Sequence, residues 1–126
     1  MKISIEIQPP FDEKFIIDLF EDNSKYILSY SGKINIDEIN LYAKKNNTIY
    51  LTAQEWKKLI EELNCKINII PEFSMGLDGC TCIINIENGF NNIKYNLWEV
   101  LYDDNPFGKF IKYLLKLINN KITQTS

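Results

Sequence analysis

Strict two-residue alternation of apolar and polar side chains most constrains this chain. Ile3, Ile5 and Ile7 alternate with Ser4, Glu6 and Gln8; Phe15, Ile17 and Leu19 share a second face, and Tyr26, Leu28 and Tyr30 a third. Period two belongs to a strand with one face in a core and the other toward water. Pro9-Pro10 ends the first run, because proline donates nothing to a ladder. The cluster Asp22-Asn23-Ser24 turns the second run back onto the third as an antiparallel hairpin. Ser31-Gly32 is expected to bend the chain again. Ile34, Ile36, Ile39, Leu41 and Ala43 suggest one further strand, Asn46-Asn47 a turn, and Thr48 to Leu51 a short extended segment.

The helical signals are local and chemical. Thr52-Ala53-Gln54-Glu55 is a capping box: the threonine hydroxyl accepts from the glutamate amide and the carboxylate accepts from the threonine amide. Ala53, Trp56, Leu59, Ile60 and Leu63 then form one stripe, which predicts a helix over about residues 53–64. Asn105-Pro106 opens a second helix, with asparagine at the cap and proline at the first turn. Its stripe is Phe107, Phe110, Ile111, Leu114, Leu117 and Ile118. Lys116 and Lys121 suit the negative end of its dipole, and the tail from Thr123 is expected to fray. Between the helices, Asn88-Gly89 favours a type I′ hairpin turn. Pairing outward from it sets Ile84 opposite Ile93, Cys82 opposite Tyr95 and Cys80 opposite Leu97.

These elements predict an α+β fold over residues 1–126 as a single domain, with an antiparallel sheet of about five or six strands and two helices packed on one face. Because most strands alternate, the second face should be partly solvated.

Composition limits the chemistry. There is no histidine, and all 14 basic residues are lysine. A histidine base, a histidine-ligated zinc and an arginine clamp on phosphate are therefore excluded. Net charge is −3 and the pI about 5.0, which gives no electrostatic footprint for nucleic acid. The first residues lack the apolar core of a signal peptide, and no segment is apolar enough to span a membrane. Three cysteines, an odd number, fit reduced thiols in a cytoplasmic protein.

Cys80 and Cys82 share one strand face and read as small core side chains, since no further ligand set completes a metal site. Gly76-Leu77-Asp78-Gly79 reads as a turn that launches the following strand. Its alternative is Asp78 as the carboxylate of a metal-assisted enzyme. Trp56 is expected in the core. Trp98, on the opposite strand parity from Tyr95 and Leu97, is either exposed or covered by a loop.

The order of meander, Thr-capped helix, Gly76-Leu77-Asp78-Gly79, hairpin and terminal helix resembles a group of small bacterial domains. They carry a G-x-D-G turn before a T-x-x-I-x-I strand, here Thr81, Ile84 and Ile86. In size and acidity the chain is also similar to immunity proteins that neutralise toxins of interbacterial competition. That resemblance implies a non-enzymatic protein-binding domain gripping a toxin domain, and the residues suggest no cofactor and no metal. The acidic doublets Asp37-Glu38 and Asp103-Asp104 read first as solvated surface; collectively they form a negative patch for a basic partner, and with Trp98 they are the expected contacts. The competing reading is an accessory protein that forms a homodimer through a sheet edge or the last helix.

Overall fold

A computed structural model describes residues 1–8, 13–36, 39–67, 81–88, 91–98 and 106–125. The strands are β1 (Lys2–Gln8), β2 (Phe15–Asp22), β3 (Lys25–Ile36), β4 (Ile39–Leu51), β5 (Thr81–Asn88) and β6 (Asn91–Trp98). The helices are α1 (Ala53–Ile67), which follows β4, and α2 (Pro106–Thr125), which follows β6. All six strands form one sheet in the order β4-β3-β2-β1-β5-β6, and every neighbouring pair is antiparallel. The fold is α+β, as the alternation predicts.

The core face follows from that alternation. Ile3, Ile5 and Ile7 of β1, Phe15, Ile17 and Leu19 of β2, and Cys82, Ile84 and Ile86 of β5 are all buried. They join one apolar cluster with Trp56, Leu59 and Leu63 of α1 and Phe110, Ile111, Leu114, Leu115 and Ile118 of α2. Both helices therefore cover the same face. Leu115, outside the expected stripe, is fully buried and widens it. Ala53, expected on the α1 stripe, is exposed at the first helical position.

The capping box forms in both directions. Glu55 N–H donates to Thr52 Oγ1 at 3.1 Å, and Thr52 N–H donates to Glu55 Oε1 at 2.8 Å. The same carboxylate meets Lys121 Nζ at 2.7 Å, so one side chain starts α1 and ties it to α2. Burial pushes the Glu55 carboxyl up, but the hydrogen bonds from Lys121 and Thr52 and the lysine charge outweigh it and hold it below its ordinary value. α2 continues to Thr125 with no basic residue in its last turn. Lys121 thus serves α1 rather than the end of its own helix. Lys58 Nζ lies 4.9 Å from the Tyr113 ring centre as a second tie between the helices.

Three expectations about the strands are corrected. The chain does not break at Ser31-Gly32: β3 runs through it, with a register shift between Tyr30 and Gly32 against β4. Gly32 has φ +100°, a backbone that only glycine adopts readily. Ile34–Ile36 and Ile39–Ala43 are not one strand but the two arms of a hairpin, with Ile36 opposite Ile39. Asn46-Asn47 is no turn; β4 passes straight through it. One β3 residue, Ser31, lies between the paired Tyr30 and Gly32, while Lys44, Lys45 and Asn46 lie between their partners Asn47 and Ala43. The extra β4 residues are a bulge.

The β2–β3 turn falls where expected. Asp22 pairs with Lys25, and Asn23 (φ 48°) and Ser24 (φ 67°) both take the left-handed conformation of a type I′ turn. The β5–β6 register is displaced by two residues from expectation. Asn88 faces Asn91, Ile86 faces Ile93, Ile84 faces Tyr95 and Cys82 faces Leu97. A slip of two preserves strand parity, so Cys82, Ile84 and Ile86 still point into the core.

Candidate functional site

With the helices on one face, the other face of the sheet is the natural place to look for function. Its central row is polar on every strand. Thr48 of β4 faces Ser29 of β3, which faces Asp18 of β2, which faces Ser4 of β1, which faces Asn85 of β5; the register ends at Lys94 of β6. Ser4 Oγ donates to Asp18 Oδ1 at 2.8 Å. Asn85 Oδ1 is shielded from solvent and accepts no hydrogen bond from the described residues. Unsatisfied buried acceptors are scarce in folded proteins, and this one lies on the face that the helices leave alone.

Apolar side chains flank the row on both sides. Phe20, Ile27 and Tyr50 adjoin one another in register on one side, and Ile16 and Ile83 flank Glu6 on the other. Of these, Tyr50 is 61% exposed and Ile16 36%; Phe20, Ile27 and Ile83 are half-buried. Glu6 is held by Lys14 at 2.9 Å. The face thus carries a polar row between two apolar bands. Among the described residues, no group of three or more histidine, cysteine, aspartate or glutamate side chains could hold a metal ion. No helix among the described residues is long and apolar enough to cross a membrane.

The expected contact residues are only partly located. Asp37, Glu38, Asp103 and Asp104 lie outside the described residues, as do Asp78 and Cys80. Trp98 closes β6 opposite Thr81; its side chain is not described. Cys82, at 1% exposure, is a core residue, and Trp56 is buried with its ring stacked on Tyr26 at 5.2 Å.

Two exposed aromatics were not anticipated from the sequence. Tyr42 (62% exposed) and Tyr50 both lie on the edge strand β4. Their signal was legible: in the run from Ile39 to Leu51, Tyr42 falls between the core positions Leu41 and Ala43, and Tyr50 between half-buried Ile49 and buried Leu51. Dividing that run at Asn46-Asn47 hid the continuity.

No family model, curated protein or solved structure matches the chain. The class that the fold defines is an α+β domain with both helices on one face of an antiparallel sheet and, among the described residues, no helix on the other.

Proposed function

We propose that this chain is a non-enzymatic protein-binding domain, an immunity protein that neutralises a cognate bacterial toxin by forming a tight complex. The observation that carries the reading is the second sheet face. It offers a polar row between apolar bands, with Tyr50 and Ile16 exposed among them. The net charge of −3 favours a basic partner, because opposite charge accelerates encounter and fixes orientation. Asp37, Glu38, Asp103 and Asp104 supply the acidic contacts and Trp98 an aromatic anchor. The absence of histidine and arginine from the sequence removes the commonest general base and the bidentate phosphate clamp, which weighs against catalysis.

The test is calorimetric titration of the purified protein with the product of the gene immediately upstream. A one-to-one complex that weakens as salt rises, and weakens further in Asp103→Lys, is the expected result. No complex, or one indifferent to both salt and Asp103→Lys, overturns the assignment of an acidic contact surface.

A further inference from the structure

The charge of this acidic chain is unevenly distributed. β3 and β4 together contain Lys25, Lys33, Lys44 and Lys45 and none of the 17 acidic residues. β4 is the last strand on its side of the sheet, and among the described residues nothing pairs with its outer edge. Lys44 and Lys45 are exposed in the bulge near its middle, and Tyr42 and Tyr50 stand to either side of them. The β3 partners of these tyrosines are Lys33 and Ile27. Six residues of strand at ~3.3 Å each place the two rings about 20 Å apart along the edge.

An unpaired edge strand offers its main chain to another strand. Lysines and a bulge, as in β4, guard such an edge against indiscriminate pairing, and an acidic strand is the kind whose charge offsets those lysines. We infer that the outer edge of β4 takes up an acidic, extended segment of a partner protein by strand addition. Lys44 and Lys45 would then meet its carboxylates, and Tyr42 and Tyr50 would lie along its flank.

A second copy of this chain fits poorly. Lys45 is the middle residue of Ile39–Leu51, so antiparallel self-pairing about a twofold sets Lys45 against Lys45 and Lys44 against Asn46. Like charges directly opposite one another destabilise a strand pair. A single-stranded nucleic acid would also find lysines and stacking rings here, but it offers no strand backbone to the edge. An acidic peptide satisfies both the backbone groups and the charge. The β4 edge shares Tyr50 with the sheet face proposed to meet the toxin, but its main-chain groups and Lys44 and Lys45 do not depend on that reading.

The test uses the full chain and a fluorescein-labelled ten-residue peptide of alternating glutamate and valine, read by fluorescence polarisation. Three comparison probes are the lysine–valine counterpart, the glutamate peptide with N-methylated backbone amides, and a ten-nucleotide oligothymidylate. The glutamate peptide is expected to bind, the N-methylated form to bind at least tenfold more weakly, and the other two not to bind. Hydrogen exchange of the unmodified protein should slow in β4 when the glutamate peptide is present. The double variant Lys44→Glu/Lys45→Glu, confirmed folded by circular dichroism, should lose at least tenfold for the glutamate peptide and gain affinity for the lysine peptide. Absence of binding by the glutamate peptide overturns the inference. So does equal binding of any comparison probe, protection that falls outside β4, or a folded double variant with unchanged preference. Exchange on the unmodified protein keeps the test decisive if the double variant fails to fold.

Discussion

Replacing Gly32 with alanine should destabilise the protein by about 1–5 kcal/mol. Gly32 sits where the β3–β4 register shifts, opposite Phe15 of β2 and Ala43 of β4. Its φ of +100° is unfavourable for any side chain, at about 1–2 kcal/mol. A Cβ at this position would lie 1.9 Å from the Lys14 carbonyl oxygen, 2.9 Å from the Lys14 carbonyl carbon and 3.0 Å from Phe15 Cα. These are backbone atoms, so no rotamer relieves the clash; the start of β2 must move. That movement disturbs buried Phe15, its ring contact with Tyr30 at 5.9 Å, and the Lys14–Glu6 ion pair. Overpacking of this kind typically adds about 1–3 kcal/mol. The restricted unfolded chain returns about 0.4–1 kcal/mol, which leaves the stated net loss. A domain of this size is stable by only about 5–15 kcal/mol, so the effect is large. Urea unfolding followed by tryptophan fluorescence measures it, with Ser31→Ala as the neighbouring control. A Gly32→Ala unfolding free energy within about 0.5 kcal/mol of the parent, at unchanged slope, would refute the assigned backbone geometry.

Other substitutions probe the helices and the core. Thr52→Ala removes the hydroxyl that accepts from Glu55 N–H and should cost about 1 kcal/mol in urea unfolding; Gln54→Ala on the exposed face should be near neutral. Because the folded Glu55 carboxyl lies below its ordinary value of 4.5, its contribution is complete above that value. It disappears as pH falls through the lower folded value. Unfolding midpoints at pH 7 and pH 3 should therefore converge more in Glu55→Gln than in the parent, and an identical acid loss in both would contradict the Lys121 pairing. Ile5 is fully buried in the middle of β1, between Ile17 and Ile84 in register. Ile5→Ala should cost about 2–5 kcal/mol, checked by the same unfolding measurement.

How much of this was readable in the sequence depends on whether a signal was local. The alternation in β1 and β2 and the Thr52–Glu55 box carry their own geometry, and both reappear in the structure. Asn46-Asn47 and Ser31-Gly32 misled because their residue types favour turns in isolation. In the fold, β3 and β4 give each other a ladder on both sides of the bulge. Asn47 Nδ2 donates to Tyr30 Oη at 3.3 Å, and Gly32 supplies the unusual backbone at the register shift. Long-range pairing thus overrides a local turn preference. Asn88-Gly89 predicted the hairpin but not its register, and parity survived because the slip was two residues. The row from Thr48 to Asn85 was not legible at all, since it joins five strands whose order no single segment encodes. Tyr42 and Tyr50 were visible in parity but concealed by the misplaced turn.

The central claim is that the molecule acts by occupying a partner and not by turning over a substrate. Titrating a fixed amount of the protein encoded immediately upstream, the proposed partner, with increasing amounts of this chain, and reading the partner's residual toxic activity after prolonged incubation, tests it directly. Stoichiometric occupation predicts a linear fall that breaks at one equivalent, with activity recovered when the complex is dissociated. Full and irreversible loss of toxin activity at a small fraction of an equivalent would contradict it.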